Sequence, residues 1–127
     1  MATALTSKLQ IKPAMRIMLL NTPSGYDQAL TPLPEDVSIV AQPRATVDLV
    51  QIFCRSMDQL KEGLPGAIEH LKPDGVFWIC WPKQSSKVPT DLNRDVIWRV
   101  LLQAKYKPVA AISIDDIWSA LRFRPTQ

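Results

Sequence analysis

The sequence predicts a single α/β domain built on a mostly parallel β-sheet. Short segments rich in aliphatic and aromatic residues, bounded by Pro, Gly, Asn or Asp, are typical of β-strands. They cover residues 16–21, 37–40, 48–53, 75–81 and 109–114. Four of them are nearly continuous apolar runs, which favours strands that are covered on both faces, as in a parallel sheet. Helical patterns alternate with these strands along the chain, and that alternation predicts the α/β class.

Length, composition and charge limit the kind of protein. A chain of 127 residues with 46% hydrophobic residues is expected to form one domain, residues 1–127, with a sizeable core. The net charge of +3 comes from 15 basic and 12 acidic residues scattered along the chain, so we expect no nucleic-acid partner. The chain has neither the apolar core of a signal peptide nor a run of about 20 apolar residues. We therefore expect no membrane partner and a cytoplasmic location.

The first long helix carries a start signal and a break signal. Ser56 and Gln59 have the spacing of a capping box for a helix that starts at Met57. Gly63, Pro65 and Gly66 interrupt this helix, and Pro65 removes a backbone donor and crowds the preceding turn. We expect either a kink or two short helices that end before Pro73.

Three further elements complete the pattern. Thr90 is the expected N-cap of the second long helix. A shorter helix is expected to follow Ser24 and to stop near Pro32. Residues 120–124, "ALRFR", alternate apolar and basic side chains, which predicts a last strand with one wetter face, antiparallel to its predecessor.

Three stretches resemble class I S-adenosylmethionine-dependent methyltransferases. "IKPAMRIMLLN" is similar to their first strand with its lead-in, "VDLVQIF" to their Asp-led central strand, and "HLKPDGVFWICW" to their Leu-Lys-Pro-Gly-Gly turn and strand. The closing strand pair resembles their antiparallel hairpin. The resemblance implies a truncated, Rossmann-like sheet of about six strands in the order 2-1-3-4-6-5, with the last strand antiparallel and the family's third strand absent.

A narrower resemblance covers nearly the whole chain. The stretches "KLQIKPAMRIMLLNTPSGY", "FCRS", "DGVFWICWPKQSSKVPTDL" and "IWSALRF" resemble a family of short bacterial proteins classed as a domain of unknown function. That family has the same methyltransferase-like outline and brings no assigned reaction. The resemblance therefore supports the fold and leaves the function open.

Two departures from the methyltransferase pattern bear on the cofactor. The resemblance implies a glycine-rich turn after the first strand, where "NTPSGY" has one glycine, and an acid after the second strand, where Gln42 stands. The expected contacts of S-adenosylmethionine with bare backbone and with the ribose hydroxyls are thus missing. We predict no cofactor and no intact S-adenosylmethionine site, and we keep a divergent methyltransferase as a third alternative.

Polar residues gather where the parallel strands end, which is the edge at which such sheets bind ligands. Arg55 and Lys83 give this edge a positive bias, and Ser24 with Gly25 would begin a helix whose free amides favour an anion. We predict a pocket for a small anionic or nucleotide-like metabolite and identify no catalytic residue. The candidate residues are Asn21, Ser24, Gly25, Tyr26, Arg55, Lys83, Ser85, Ser86 and Thr90. The alternative is that the hydroxyls only cap helices and the lysines are only solvated.

The other reactive side chains are expected to have structural rather than catalytic or metal-binding roles. Cys54 and Cys80 lie in apolar runs without zinc or redox spacing, so buried, reduced thiols are expected. A lowered thiol pKa for Cys54, beside Arg55, is the less favoured alternative. His70 is expected at the surface near a helix end, and the two aspartates at 115–116 are expected to form a turn rather than bind a metal.

The helix count suggests a second kind of function. Right-handed crossovers place both long helices on one sheet face, which leaves the other face to the short helix after Ser24 and to residues 4–10. Apolar side chains of the later strands would then be under-covered, with Trp98 or Trp118 exposed. The alternative function is a non-catalytic interaction module, a homodimer or a partner-binding domain, that uses this face.

Overall fold

A computed structural model describes residues 5–40 and 46–126. The helices are α1 (Leu5–Leu9), α2 (Tyr26–Ala29), α3 (Met57–His70) and α4 (Arg94–Gln103). The strands are β1 (Arg16–Leu20), β2 (Ser38–Val40), β3 (Val47–Phe53), β4 (Leu71–Pro82), β5 (Tyr106–Ser113) and β6 (Trp118–Pro125), and a 3-10 turn covers Gln84–Ser86. Within the described ranges no helix has the length and apolar character needed to cross a membrane.

The strands form one six-stranded sheet in the order β2-β1-β3-β4-β6-β5. β1 is parallel to β2 and β3, and β3 is parallel to β4. β6 is antiparallel to both of its neighbours, β4 and β5. The predicted fold class, strand order and antiparallel last strand are confirmed.

Apolar side chains of the central strands point alternately into two core layers. In β3, Val50 and Ile52 pack under α3 and α4, whereas Leu49 and Phe53 face α1 and α2. The indole of Trp78 donates a hydrogen bond to the Leu9 carbonyl at 2.9 Å, which fixes α1 on the second face. Burial on both faces explains why these strands are continuous apolar runs in the sequence.

Helix α3 begins at Met57, as the capping signal predicts. The Ser56 hydroxyl accepts a hydrogen bond from the Gln59 amide at 3.1 Å, while the Gln59 side chain accepts from the Arg55 amide at 2.7 Å. The helix is one element with Pro65 inside it, so the expected division into two short helices is wrong. Pro65 is exposed, and the buried side of α3 packs on the sheet and holds the helix together across the missing hydrogen bond.

The N-cap of α4 is Asn93 and not Thr90. The Asn93 side chain accepts a hydrogen bond from the amide three residues later at 2.9 Å, whereas Thr90 accepts from the amide two residues later at 3.1 Å. The intervening Asp91 accepts from the Met57 amide at 2.8 Å and so supports the start of α3. The segment around Asp91 is held against another helix, and α4 therefore begins later than predicted.

The two edges of the sheet differ in length. β2 has three residues, and Ile39 in it is 42% exposed. β5 is longer, but its pairing with β6 shifts register between Pro108 and Ala110, and Lys107 beside the shift is exposed. The irregular register interrupts the outer edge of β5.

Replacing Ser56 with alanine tests the cap of α3. Loss of the hydroxyl leaves the Gln59 amide without its partner, so we expect the free energy of unfolding to fall by about 1 kcal/mol. Urea denaturation measures the change. Ser7→Ala is the control, because Ser7 is exposed and its hydroxyl has no hydrogen bond within the described residues. Equal stability of the Ser56→Ala and control variants would contradict the capping role.

Candidate functional site

An aromatic cluster joins three connections at the carboxyl edge of the sheet. The rings of Tyr26 and Phe53 meet edge to face with centroids 4.7 Å apart, and Phe53 meets Trp118 in the same way at 5.0 Å. The guanidinium carbon of Arg55 lies 5.1 Å from the centre of the Trp118 ring. The cluster thus brings together the loop after β1, the end of β3 and the hairpin between β5 and β6. Two of the predicted residues, Tyr26 and Arg55, belong to it.

The Tyr26 hydroxyl is directed into the protein. It donates a hydrogen bond of 2.8 Å to the Gln51 side chain, whose amide in turn donates to the Cys80 sulfur at 3.3 Å. Burial raises the pKa of Tyr26 far above its ordinary value, so the phenol stays protonated. Tyr26 therefore positions the loop after β1 and supplies a hydrogen-bond donor to the buried side-chain oxygen of Gln51.

The loop after β1 is exposed and tightly turned. Asn21 and Gly25 have positive φ angles of 59° and 80°, and Ser24 is exposed. Helix α2 has four residues, and the Tyr26 amide already donates to the Pro23 carbonyl at 3.1 Å. One helical turn with an engaged amide offers little of the anion-binding capacity that we expected from Ser24 and Gly25.

Arg55 and Lys83 differ in how they are held. The Lys83 ammonium donates to the Ser113 hydroxyl at 2.6 Å, and the Lys83 amide donates to the Ile117 carbonyl at 2.6 Å. The loop after β4 is thereby attached to the β5–β6 hairpin. Arg55 is exposed and forms no ion pair with any carboxylate whose side chain the structure describes; among those side chains the ion pair present is that between Lys72 and Asp48.

The hydroxyl groups after β4 mostly shape their own loop. The Ser86 hydroxyl donates to the Lys83 carbonyl at 2.6 Å and accepts from the Val88 amide at 3.2 Å. Thr90 makes the local bond described above. Ser85 is exposed, and its side chain makes no hydrogen bond within the described residues. Ser86 and Thr90 fit the structural alternative, and Ser85 is available to a ligand.

A cavity of about 280 Å³ lies at the end of β1, against α3. Asn21 lines it together with Gln59 and Glu62, which the sequence analysis missed. Gly63 also lines it, and a Cβ atom at that position would lie 2.3 Å from Ile52 Cδ1, so α3 packs closely on β3 there. The two glycines that flank Pro65 were the available signal, although they suggested a break in the helix and not a cavity beside it.

Cys54 is a buried thiol, as the favoured interpretation predicts. Its amide donates to the Cys80 carbonyl at 2.9 Å, and burial raises the pKa of the thiol to about 12. The alternative of a lowered pKa beside Arg55 is wrong, because desolvation of the thiolate outweighs any charge from the exposed guanidinium.

Two other sequence expectations are met. His70 is the last residue of α3, and its Nδ1 lies 2.9 Å from the Gly66 carbonyl oxygen. The Asp115 carboxylate accepts from the amides of Ile117 and Trp118, both at 2.8 Å, and so forms the hairpin turn. In the part of the chain that the structure describes, no group of three or more His, Cys, Asp or Glu residues could hold a metal ion.

Solved structures with similar folds include methyltransferases. The ribosomal protein L11 methylase of Lactobacillus delbrueckii subsp. bulgaricus is 13% identical, with a TM-score of 0.65 over 97% of this chain and 75% of that one. DhpI in complex with S-adenosylhomocysteine is 12% identical, with a TM-score of 0.67 over 96% of this chain and 82% of that one. The N-methyltransferase NodS of Bradyrhizobium japonicum WM9 is 14% identical, with a TM-score of 0.59 over 98% and 90% of the two chains. The fold is methyltransferase-like.

This likeness confirms the broader of the two resemblances at the level of the fold. No family model matches the chain, and no curated protein matches it, so the narrower resemblance remains an expectation. DhpI and NodS both have solved structures with S-adenosylhomocysteine. Gln42, which argues against S-adenosylmethionine as a cofactor, lies outside the described residues.

Thiol labelling tests the burial of Cys54. In a Cys80→Ala variant, Ellman's reagent at about pH 8 should react with Cys54 slowly in the native state and rapidly in urea, because the attacking species is the thiolate. The folded-state pKa is above the ordinary value of 9.0, so this thiol's contribution to stability is complete below pH 9 and declines as the pH rises toward 12. Native labelling at the rate of a free cysteine would contradict the burial.

Proposed function

We propose that this methyltransferase-like domain binds a small anionic or nucleotide-like ligand at the carboxyl edge of its sheet. The observation that carries the proposal is the position of Arg55 directly after β3, with its guanidinium over the Trp118 ring. Ligands of parallel α/β sheets bind at this edge. The proposal assigns no catalytic residue and treats the domain as a binding domain.

The environment of Arg55 suits an anion. Contact with the Trp118 ring orients the guanidinium plane and is worth about 0.5–1 kcal/mol at an exposed site. The planar fork of N–H donors matches carboxylate and phosphate oxygens. Among the side chains that the structure describes, no carboxylate forms an ion pair with Arg55.

S-adenosylmethionine and S-adenosylhomocysteine are the first ligands to test. Each combines a nucleoside with a carboxylate, and S-adenosylhomocysteine is bound by proteins that share this fold. Because "NTPSGY" has a single glycine where methyltransferases have a glycine-rich turn, we favour another small anionic or nucleotide-like ligand over these two. A nucleoside triphosphate and pyrophosphate extend the test to ligands with more negative charge.

Thermal denaturation with these ligands tests the proposal. A ligand present at 100 times its Kd should stabilise the native state by about 2.7 kcal/mol and raise Tm. We expect Arg55→Ala to abolish the ligand-induced increase in Tm and Arg55→Lys to keep part of it. Arg99→Ala, an exposed arginine on α4, is the control. An unchanged ligand-induced shift in Arg55→Ala, or no shift with any of the ligands, would exclude the proposal.

A second candidate function, self-association, is favoured by the outer surface of α4. Trp98 and Leu102 are 38% and 48% exposed and border a shallow depression of about 200 Å³ with Asp95 and Arg99. Residues four positions apart lie on one side of a helix, so the two apolar side chains form one patch. Of the two tryptophans for which exposure was considered, Trp98 is exposed and Trp118 is buried at 3% exposure. We therefore place the proposed dimer contact on α4 and not on the sheet face that we expected to be under-covered.

Sedimentation velocity over a wide concentration range tests this contact. We expect the wild-type chain to form dimers and the double variant Trp98→Gln/Leu102→Gln to be monomeric, because the change removes the apolar patch. Gln103→Ala is the control, since Gln103 is exposed on the same helix but outside the patch. A wild-type chain that stays monomeric at every concentration rules out the dimer.

A further inference from the structure

A second concave region lies at the amino edge of the sheet, opposite the proposed site. A cavity of about 320 Å³ is formed between the first part of β4, the last part of β6 and the connection from α1 to β1. Lys12, Arg122 and Arg124 line it, and Asp74 is its one carboxylate. An adjoining cavity of about 390 Å³ shares Asp74 and Arg124 and adds Lys107. Both cavities are rich in positive charge.

An irregular segment of β4 creates this concavity. The pairing of β3 with β4 passes from Val47↔Leu71 to Leu49↔Val76, so residues 72–75 loop out of the ladder. Bulges of this kind redirect side chains and are frequent next to functional sites. Here the bulge carries Asp74, which lines the cavity together with the arginines of β6.

The bulge is held in place by specific contacts. The Lys72 ammonium lies 2.6 Å from one Asp48 oxygen, and the Arg16 amide donates to the other oxygen at 2.8 Å. The hydrogen bond from Lys72 lowers the pKa of the Asp48 carboxyl. A Cβ atom on Gly75 would lie 3.0 Å from the Asp48 carbonyl oxygen and closer still to the Leu71 side chain, so the segment fits here only with glycine. The cavity wall is therefore a fixed part of the fold.

The two arginines share one face of β6. Alternate residues of a strand point the same way and are about 7 Å apart, so Arg122 and Arg124 are spaced to contact one anion from two sides. Arg122 is half-buried and lies opposite Trp78 in β4 and Ala110 in β5. Its side chain makes no hydrogen bond or ion pair within residues 5–40 and 46–126. A half-buried guanidinium without a partner favours an external anion.

Lys12 adds a third cation from the other side of the cavity. It belongs to a tight turn in which the Met15 amide donates to the Lys12 carbonyl at 3.3 Å and the Lys12 amide contacts the Met15 sulfur at 3.4 Å. Asp74 faces the three cations without forming an ion pair with any of them in the described ranges. A carboxylate in this position can accept hydrogen bonds from hydroxyl groups of a ligand.

We propose that this cavity binds a small phosphorylated sugar or polyol. The phosphate lies between Arg122 and Arg124, with Lys12 as a third contact, and a ligand hydroxyl donates to Asp74. Arginine forks match phosphate oxygens in geometry and charge. A cavity of about 320 Å³ holds such a molecule but not a length of nucleic acid, and the remaining positive charge of the chain is scattered. The proposal is independent of the carboxyl-edge site.

Calorimetric titration of the full chain with three probes tests the proposal. Ribose 5-phosphate should bind, inorganic phosphate should bind more weakly, and ribose should not bind. Arg124→Ala and Lys12→Ala should each weaken the binding of ribose 5-phosphate about tenfold or more, since each removes a charge-assisted hydrogen bond. Asp74→Asn should reduce the preference for ribose 5-phosphate over phosphate.

Matched variants make the outcome decisive. Arg99→Ala, an exposed arginine on α4, should leave the affinity unchanged, and Arg124→Lys should retain part of it. Urea midpoints equal to that of the wild type show that the variants fold. Unchanged affinity in Arg124→Ala, or loss of affinity in Arg99→Ala, overturns the assignment of the site. Tighter binding of a single-stranded oligonucleotide than of ribose 5-phosphate at the same salt concentration overturns the assignment of the ligand.

Discussion

The rest of the structure depends on the burial of β3 on both of its faces. Six of its seven residues are buried, and the strand pairs with β1 on one side and β4 on the other. Such a strand can hold a polar side chain only where partners are supplied. Gln51 has two, the Tyr26 hydroxyl and the Cys80 sulfur. The hydrogen bond between Gln51 and Tyr26 fixes the position of the loop after β1. The Phe53 ring contacts both Tyr26 and Trp118, and Trp118 in turn contacts Arg55.

Local sequence patterns predicted the helices and strands but not all of their first and last residues. Apolar runs located the central strands because burial on both faces leaves a direct compositional signal, and the Ser56 cap located the start of α3. The boundary of α4 was misplaced because Asp91 is bonded to Met57, 34 positions away, and no local pattern reveals that contact. The continuity of α3 through Pro65 likewise depends on packing against the sheet.

The two candidate sites differed in how far the sequence revealed them. The rule that parallel sheets bind ligands at their carboxyl ends located the first, although it did not show that the Tyr26 hydroxyl is directed inward. The alternation in "ALRFR" predicted a wetter face for β6. The two arginines of that face, Arg122 and Arg124, line the cavity at the amino edge. The cavity itself was not predictable, because it forms only where residues 72–75 leave the ladder and bring Asp74 opposite Arg122 and Arg124.

The irregular edges of the sheet affect how the chain behaves at high concentration. An exposed, regular edge strand is a template for pairing with other copies and hence for fibres. Here the edge strand β5 carries Lys107, the register shift and Pro108, which has no amide hydrogen to donate. At this edge a second copy of the chain meets an interrupted row of hydrogen-bond donors, which disfavours strand-to-strand stacking through β5.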